Sequence, residues 1–265
     1  MDGELTYAPF FLDYGPLSLT SLFRFSVLLS GKLRALPVPK RLYMYSLAGP
    51  AAEASRANAA YLLAAYLMLC HGRSPAQAWA PFADRPAALV PSAPWHDASP
   101  APDSFGLRTP DVLLGLARAR EAGFFSFDAF AADEFEWQER VENGDANWLA
   151  EGRLLAFAGP QAARAGGGGG GGYEACTVDD LLPYFRSRGV AAVVRLNRPA
   201  YDGARFRRAG MRHEDLVYED GSNPPEAILR AFLELCEETP GAIAVHCKAG
   251  LGRTGTCIGA YIMKQ

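Results

Sequence analysis

The segment that most restricts the fold of this chain is GAIAVHCKAGLGRTGT, residues 241–256. Residues 242–245 form a continuous apolar run, as a central strand covered on both faces requires. A glycine-bearing loop follows, and then a second apolar stretch, 257–263, suited to a helix. Strand, glycine loop and helix in that order point backbone N–H groups and a helix N-terminus at an anion. Cys247 stands at the carboxyl end of the strand and Arg253 six positions later, at the start of the helix. Wrapped into a cradle, that spacing puts the sulfur beneath a phosphate while the guanidinium forks two of its oxygens. Lys248, Ala249, Gly250, Leu251 and Gly252 supply the loop between them. Gly250 and Gly252 allow backbone conformations that other residues resist. Helix N-termini and nearby cations lower a thiol's pKa, so Cys247 is the expected nucleophile. Thr254 is expected to donate its hydroxyl to the sulfur, and His246 to orient the loop.

Transfer of a phosphoryl group to sulfur needs an acid for the leaving oxygen. Asp220 is the leading candidate. It closes an expected strand at 215–218, one element before the nucleophile strand, and stands in the turn Asp220-Gly221-Ser222. Glu219 and Asp215 are the rivals.

Around this segment the second half alternates between strand and helix. Strands are expected at 154–157 and 191–196. Helices are expected at 177–188, with a Thr177…Asp180 capping pair, and at 224–238. Such alternation implies an α/β fold with a largely parallel sheet. The first half reads as helices at 17–29 (stopping at Gly31), 51–70, from Ser74-Pro75, and 110–121, with a short strand at 41–47. Residues 90–103, rich in Pro, Ala and Ser, read as a loop. The charged segment DEFEWQERVE, 133–142, reads as a connecting helix. The seven consecutive glycines 166–172 read as a floppy surface insertion rather than a phosphate loop, lacking the flanking Lys and Ser/Thr.

Composition excludes several alternatives. The formal charge is −3 and the pI about 5.9, so no global basic field favours nucleic acid. Five cysteines form no CxxC pair and only four histidines occur, so no metal-site spacing appears and no cofactor is expected. The odd cysteine count suits a reducing compartment. Asp2 and Glu4 stand where a secretory signal would be basic and then apolar. The most apolar segment, 59–70, is about half of a membrane span. A soluble, intracellular protein without membrane or nucleic-acid partners is expected.

HCKAGLGRTGT resembles the phosphate loop of the cell-division-cycle-14 dual-specificity protein phosphatases. So do other segments in the same order: DYGPLSL (13–19), RANAAYLLAAY (56–66), VENGDANW (141–148), RLLAFAGP (153–160), VVRLNRPAYDGARFRRAG (193–210) and DGSNPP (220–225). The resemblance implies two tandem dual-specificity-phosphatase-like domains joined by a helical linker. The first, 1–128, is degenerate: residues 46–56 precede a helix as a phosphate loop would, yet hold no cysteine. The acidic linker helix spans 129–144. The catalytic domain, 145–265, is incomplete, because the family continues with further helices beyond Gln265. By the same resemblance Cys247 is the nucleophile, Arg253 the phosphate clamp and Asp220 the general acid. Glu136, Glu139 and Asp145 resemble the family's acidic groove for a substrate Lys or Arg.

The implied partners are phosphoproteins with phosphoserine or phosphothreonine before proline and a basic residue further on. The implied setting is the cell cycle, in nucleus and cytoplasm, extending to nucleolus, spindle or centrosome. Two other functions remain in view. One is a phosphopeptide-binding module that keeps the cradle but turns over poorly. The other is a phosphoinositide phosphatase, against which stand Leu251, where such enzymes tend to carry a second lysine, and the acidic connector, which an anionic membrane would repel.

Overall fold

The computed structural model describes the chain apart from residues 1–4, 8, 10, 46–51, 88–89, 91–92, 98–102, 104, 163–175 and 265. The glycine run and most of the cysteine-free loop at 46–56 lie outside the described residues. The chain divides into two compact units, Met1–Ala132 and Asp133–Gln265.

The described part of the first unit is helical: α1 (Leu19–Ala35), α2 (Glu53–His71), α3 (Pro75–Ala83) and α4 (Thr109–Glu121). They surround a core that includes Leu22, Phe25, Tyr61, Ala65 and Leu113. Two expectations change here. Gly31 does not stop α1, which continues to Ala35 with Lys32 and Arg34 in its last turn. Those cations suit the negative end of the helix dipole and help offset the roughly 1 kcal/mol cost of an interior glycine. The strand expected at 41–47 is not formed at residues 41–45, which pair with no neighbouring strand, and 46–47 lie outside the described residues. Ser74 does start α3, through a capping box with Gln77.

The second unit opens with α5 (Ala132–Gln138). The helix expected over 133–142 ends there because the Gln138 carbonyl is taken by the N–H of Ala146 at 2.8 Å. A single 3-10 turn, Val141–Asn143, follows. Then come β1 (Asn147–Ala150), β2 (Leu154–Phe157), α6 (Val178–Ser187), β3 (Val190–Arg195), α7 (Ala204–Arg208), β4 (Arg212–Asp215), α8 (Glu226–Glu238), β5 (Ala242–His246) and α9 (Gly252–Lys264). The sheet order is β1-β2-β5-β3-β4, antiparallel only at β1.

β5 lies at the centre, and all five of its residues are buried. Alternate side chains of a strand face opposite ways, and the core divides accordingly. Leu154, Ala156, Ile243 and Val245 pack with Phe232, Leu235, Cys257 and Ile258 of α8 and α9. Leu155, Phe157, Val193 and Ala244 pack with Leu181, Phe185 and Phe206 of α6 and α7. The fold is therefore a three-layered α/β sandwich in this unit. The parallel strands β2, β5, β3 and β4 all point one way, so their carboxyl ends meet along one edge.

The strand expected at 215–218 lies three residues earlier, as β4. Its buried member is His213, a polar residue, so apolar patterning alone misplaces it. β1 carries no clear apolar signature because it is an edge strand with one exposed and two half-buried positions.

Candidate active site

Cys247 follows directly on β5 and is 3% exposed. Burial by itself would raise its pKa. Against that, the Thr254 hydroxyl, the backbone N–H groups of Thr254 and Gly250 and the Arg253 charge all favour the thiolate, and together they hold the thiol below its ordinary value. Thr254 is fully buried and its hydroxyl makes no hydrogen bond to any other described group, which leaves its proton to the sulfur.

The loop owes its shape to close backbone contacts. Gly250 has φ +75°, and a Cβ there would stand 2.4 Å from the Phe157 carbonyl oxygen. Any other residue would be strained twice over, by conformation and by collision. Gly252 differs from the expectation: its φ is not positive, and a Cβ would meet nothing within 4 Å. From the far side Gly159 donates its N–H to the Lys248 carbonyl at 3.0 Å. A side chain at Gly159 would strike the Cys247 carbonyl at 2.4 Å. The Lys248 and Leu251 side chains are exposed.

Arg253, in the first turn of α9, is buried. Its Nη1 donates to the Tyr218 carbonyl at 3.0 Å and to the Leu196 carbonyl at 3.5 Å. Its Nε stands 3.2 Å from Oδ1 of Asp220, an ion pair without the alignment of a hydrogen bond. The Asp220 side chain is 69% exposed, so water reaches the carboxylate while it remains beside the guanidinium. The other two candidate acids make different contacts. Asp215 accepts two hydrogen bonds from Arg195, at 2.6 and 2.9 Å. Burial works to raise its pKa, but the bonds and charge of Arg195 prevail and hold it low. Glu219 is exposed, and its carbonyl receives the Ser222 hydroxyl.

His246 is fully buried, and its pKa is pushed down to about 3, chiefly by that burial. Its Nδ1 lies 2.8 Å from the Cys247 carbonyl and its Nε2 lies 2.7 Å from the Tyr201 hydroxyl.

The acidic candidates stand around the turn that follows α5. Glu136 is exposed on the helix, while Glu139 lies one residue beyond its end rather than on a continuing helix face. Asp145 is half-buried with φ +45°, a left-handed conformation uncommon outside glycine, and burial raises its pKa. Backbone bonds tie this turn to the cysteine loop: Ala158 N–H to the Gly144 carbonyl at 2.8 Å, then Gly159 to Lys248.

Sequence reasoning missed Tyr218, Tyr201, His213 and Arg195. Tyr218 grips Arg253 at both ends, since its carbonyl holds the guanidinium and its hydroxyl donates to the Arg253 carbonyl at 3.1 Å. Tyr201 and Arg195 lie in the segment 193–210 quoted above, which marked them as a block without indicating which side chains act. Among the described residues no group of three His, Cys, Asp or Glu is placed to hold a metal ion.

Comparison with known proteins fits this geometry. Residues 1–119 match the family profile described as dual specificity protein phosphatase, N-terminal half. Residues 168–265 match one described as polymorphic toxin system, DSP-PTPase phosphatase. Dual specificity protein phosphatase CDC14A of Homo sapiens is 40% identical over 265 residues, covering 100% of this chain and 43% of the relative. CDC14AB of Danio rerio is 42% identical, covering 100% and 42%. The tyrosine-protein phosphatase CDC14 homolog of Schizosaccharomyces pombe is 39% identical, covering 99% and 49%. Along its whole length the chain resembles the CDC14 dual specificity phosphatases. It spans less than half the length of these CDC14 relatives. Two dual-specificity-phosphatase-like regions stand in tandem in it.

Proposed function

We propose that this chain carries the catalytic site of a cysteine-dependent protein phosphatase acting on phosphoserine, phosphothreonine and phosphotyrosine in cell-cycle control. The Cys247 thiolate attacks phosphorus in line with the leaving oxygen. The S–P bond forms as the P–O bond to the side chain breaks, and Asp220 gives its proton to the departing oxygen. Arg253 and the loop N–H groups hold the three equatorial oxygens as their charge develops. In the second step Asp220 takes a proton from water, water oxygen bonds to phosphorus, and the sulfur leaves as thiolate with the Thr254 hydroxyl donating to it.

The single observation behind this reading is the convergence on one sulfur. A buried thiol held low is lined by Thr254, Gly250 N–H and Arg253, with Asp220 3.2 Å from the same guanidinium. The family relationship supports the reading, since the relatives are named as protein phosphatases. Single-turnover reaction with a radiolabelled phosphopeptide tests it. The expected result is a burst of alcohol product with label transiently on Cys247, then free phosphate. Tight binding with no label transfer would instead make the chain a phosphopeptide-binding module.

The preferred substrates are phosphoserine or phosphothreonine before proline, with a Lys or Arg further along, met by Glu136, Glu139 and Asp145. Replacing Glu136 and Glu139 together with Ala is expected to lower kcat/KM for peptides bearing the downstream Lys about fivefold to tenfold. That is the scale of one or two partly exposed ion pairs. Peptides lacking the Lys should hardly change, and equal losses on both would remove these carboxylates from substrate selection.

A further inference from the structure

Beneath the cysteine loop lies a buried polar series that no step above uses. We propose that His213 is a positioning residue for the nucleophile loop, acting through Tyr201 and His246 to fix the direction of the Cys247 peptide group. This deepens the phosphatase reading and rests on it for the role given to Cys247.

The direction of each hydrogen bond follows from the one before. The Cys247 carbonyl can only accept, so the His246 Nδ1 at 2.8 Å must carry a proton. Burial keeps His246 neutral, so its Nε2 holds a lone pair and accepts from the Tyr201 O–H at 2.7 Å. The Tyr201 oxygen has thereby spent its only proton. The His213 Nε2, at 3.0 Å, must then donate to it. The reverse sense would set a His246 lone pair against the carbonyl lone pairs at 2.8 Å, both buried. His213 is thus fixed as the Nε2–H tautomer, and its Nδ1 is buried without a hydrogen-bond partner among the described residues. A histidine stands here despite that cost. If its part were packing alone, an apolar ring would serve better.

The surroundings hold the series rigid. Tyr201 is pinned by Arg195, whose Nη1 donates to the Tyr201 carbonyl at 2.7 Å and whose guanidinium carbon lies 4.5 Å from the ring centre. Arg195 is itself locked by Asp215. The His213 ring lies parallel to Phe206, with 5.9 Å between centroids. Gly203 leaves the space it needs, because a Cβ there would come within 2.6 Å of the imidazole. The charged groups whose fields reach His213 are Arg195 of β3, Asp215 and Glu214 of β4 and Arg207 of α7. Burial first, and the Arg195 charge next, keep the ring neutral. On the far side His246 fixes the Cys247 carbonyl, and Gly159 fixes that of Lys248. With these two oxygens held, the Lys248 and Ala249 peptide groups are set, and with them the course of the loop that brings the Gly250 N–H to the sulfur.

The test reads the sulfur rather than turnover. His213→Phe keeps the stacked ring and removes the donor. Alkylation of Cys247 by iodoacetamide, followed peptide by peptide across pH, is expected to slow on the order of fivefold on the acid side, the scale of one buried hydrogen bond. Its midpoint should move to higher pH. His213→Gln, which restores an N–H, is expected to recover most of the rate. An unchanged alkylation profile in folded His213→Phe overturns the proposal. Should His213→Phe not fold, long-range proton–nitrogen NMR on the unaltered chain decides instead. It should show His246 protonated at Nδ1 and His213 at Nε2, and a His213 protonated at Nδ1 alone overturns the proposal. Neither readout needs phosphatase turnover. A chain with the expected profile and tautomers but no release of phosphate would sink the enzymatic reading and leave this one standing.

Discussion

Replacing Cys247 with Ser is expected to reduce turnover of every phosphoester to background, a loss of at least about 10^4-fold. A serine hydroxyl in this position ionises far less readily than the thiol it replaces, and the groups arranged to stabilise a thiolate cannot make up the difference. Binding of phosphopeptide is expected to survive. The Gly250 and Thr254 N–H groups and the Arg253 side chain do not depend on the sulfur for their positions, since the Gly159, Tyr218 and Leu196 contacts hold the loop and the guanidinium. Calorimetric titration with phosphopeptide beside a turnover assay measures both quantities. Residual turnover within tenfold of the unaltered chain would remove Cys247 as the nucleophile.

Asp220→Asn should separate good leaving groups from poor ones. A phosphoserine expels an alkoxide that needs a proton as the bond breaks, and a positioned acid supplies roughly 10^2 to 10^4 in rate. p-Nitrophenyl phosphate expels a stable phenolate that needs little help. The variant is therefore expected to lose about 10^2-fold or more on phosphoserine peptides and far less on the nitrophenyl ester. Asn keeps nearly the same shape but removes the ion pair with Arg253, so binding of phosphate provides the control. Equal losses on both substrates would show that Asp220 serves only to place Arg253. In that event the proton donor would have to be sought elsewhere along the carboxyl edge of the sheet.

The cysteine loop is legible in the sequence because the chemistry needs consecutive residues. The groups proposed as nucleophile, amide cradle, clamp and hydroxyl all fall between Cys247 and Thr254, so one short segment displays them together. The layered core of the second unit is legible for a related reason, since strands buried on both faces and amphipathic helices leave strong local patterns. Tyr218, Tyr201, His213 and Arg195 do not show themselves in that way. They come from β3, β4 and the segments after them, and only the order β1-β2-β5-β3-β4 brings them under β5. A tyrosine or histidine in isolation reads as a packed ring, and nothing in its neighbours reveals which hydrogen bond it makes. The displacement of β4 from its expected place has the same origin. His213 looks polar, yet it occupies an inward position, where its Nε2 meets the Tyr201 hydroxyl.

The two-ended grip of Tyr218 on Arg253 bears on how the site can work through a cycle. Asp220 lies only two residues further along the backbone from that tyrosine. Any swing of the turn carrying the acid must pull on the carbonyl that braces the guanidinium and on the hydroxyl that braces the start of α9. Asp220, proposed as the proton donor, and the Arg253 guanidinium are therefore tied together through Tyr218. On the proposed mechanism the acid and the guanidinium would then meet a phosphoester already in register with each other, and neither would have to move alone.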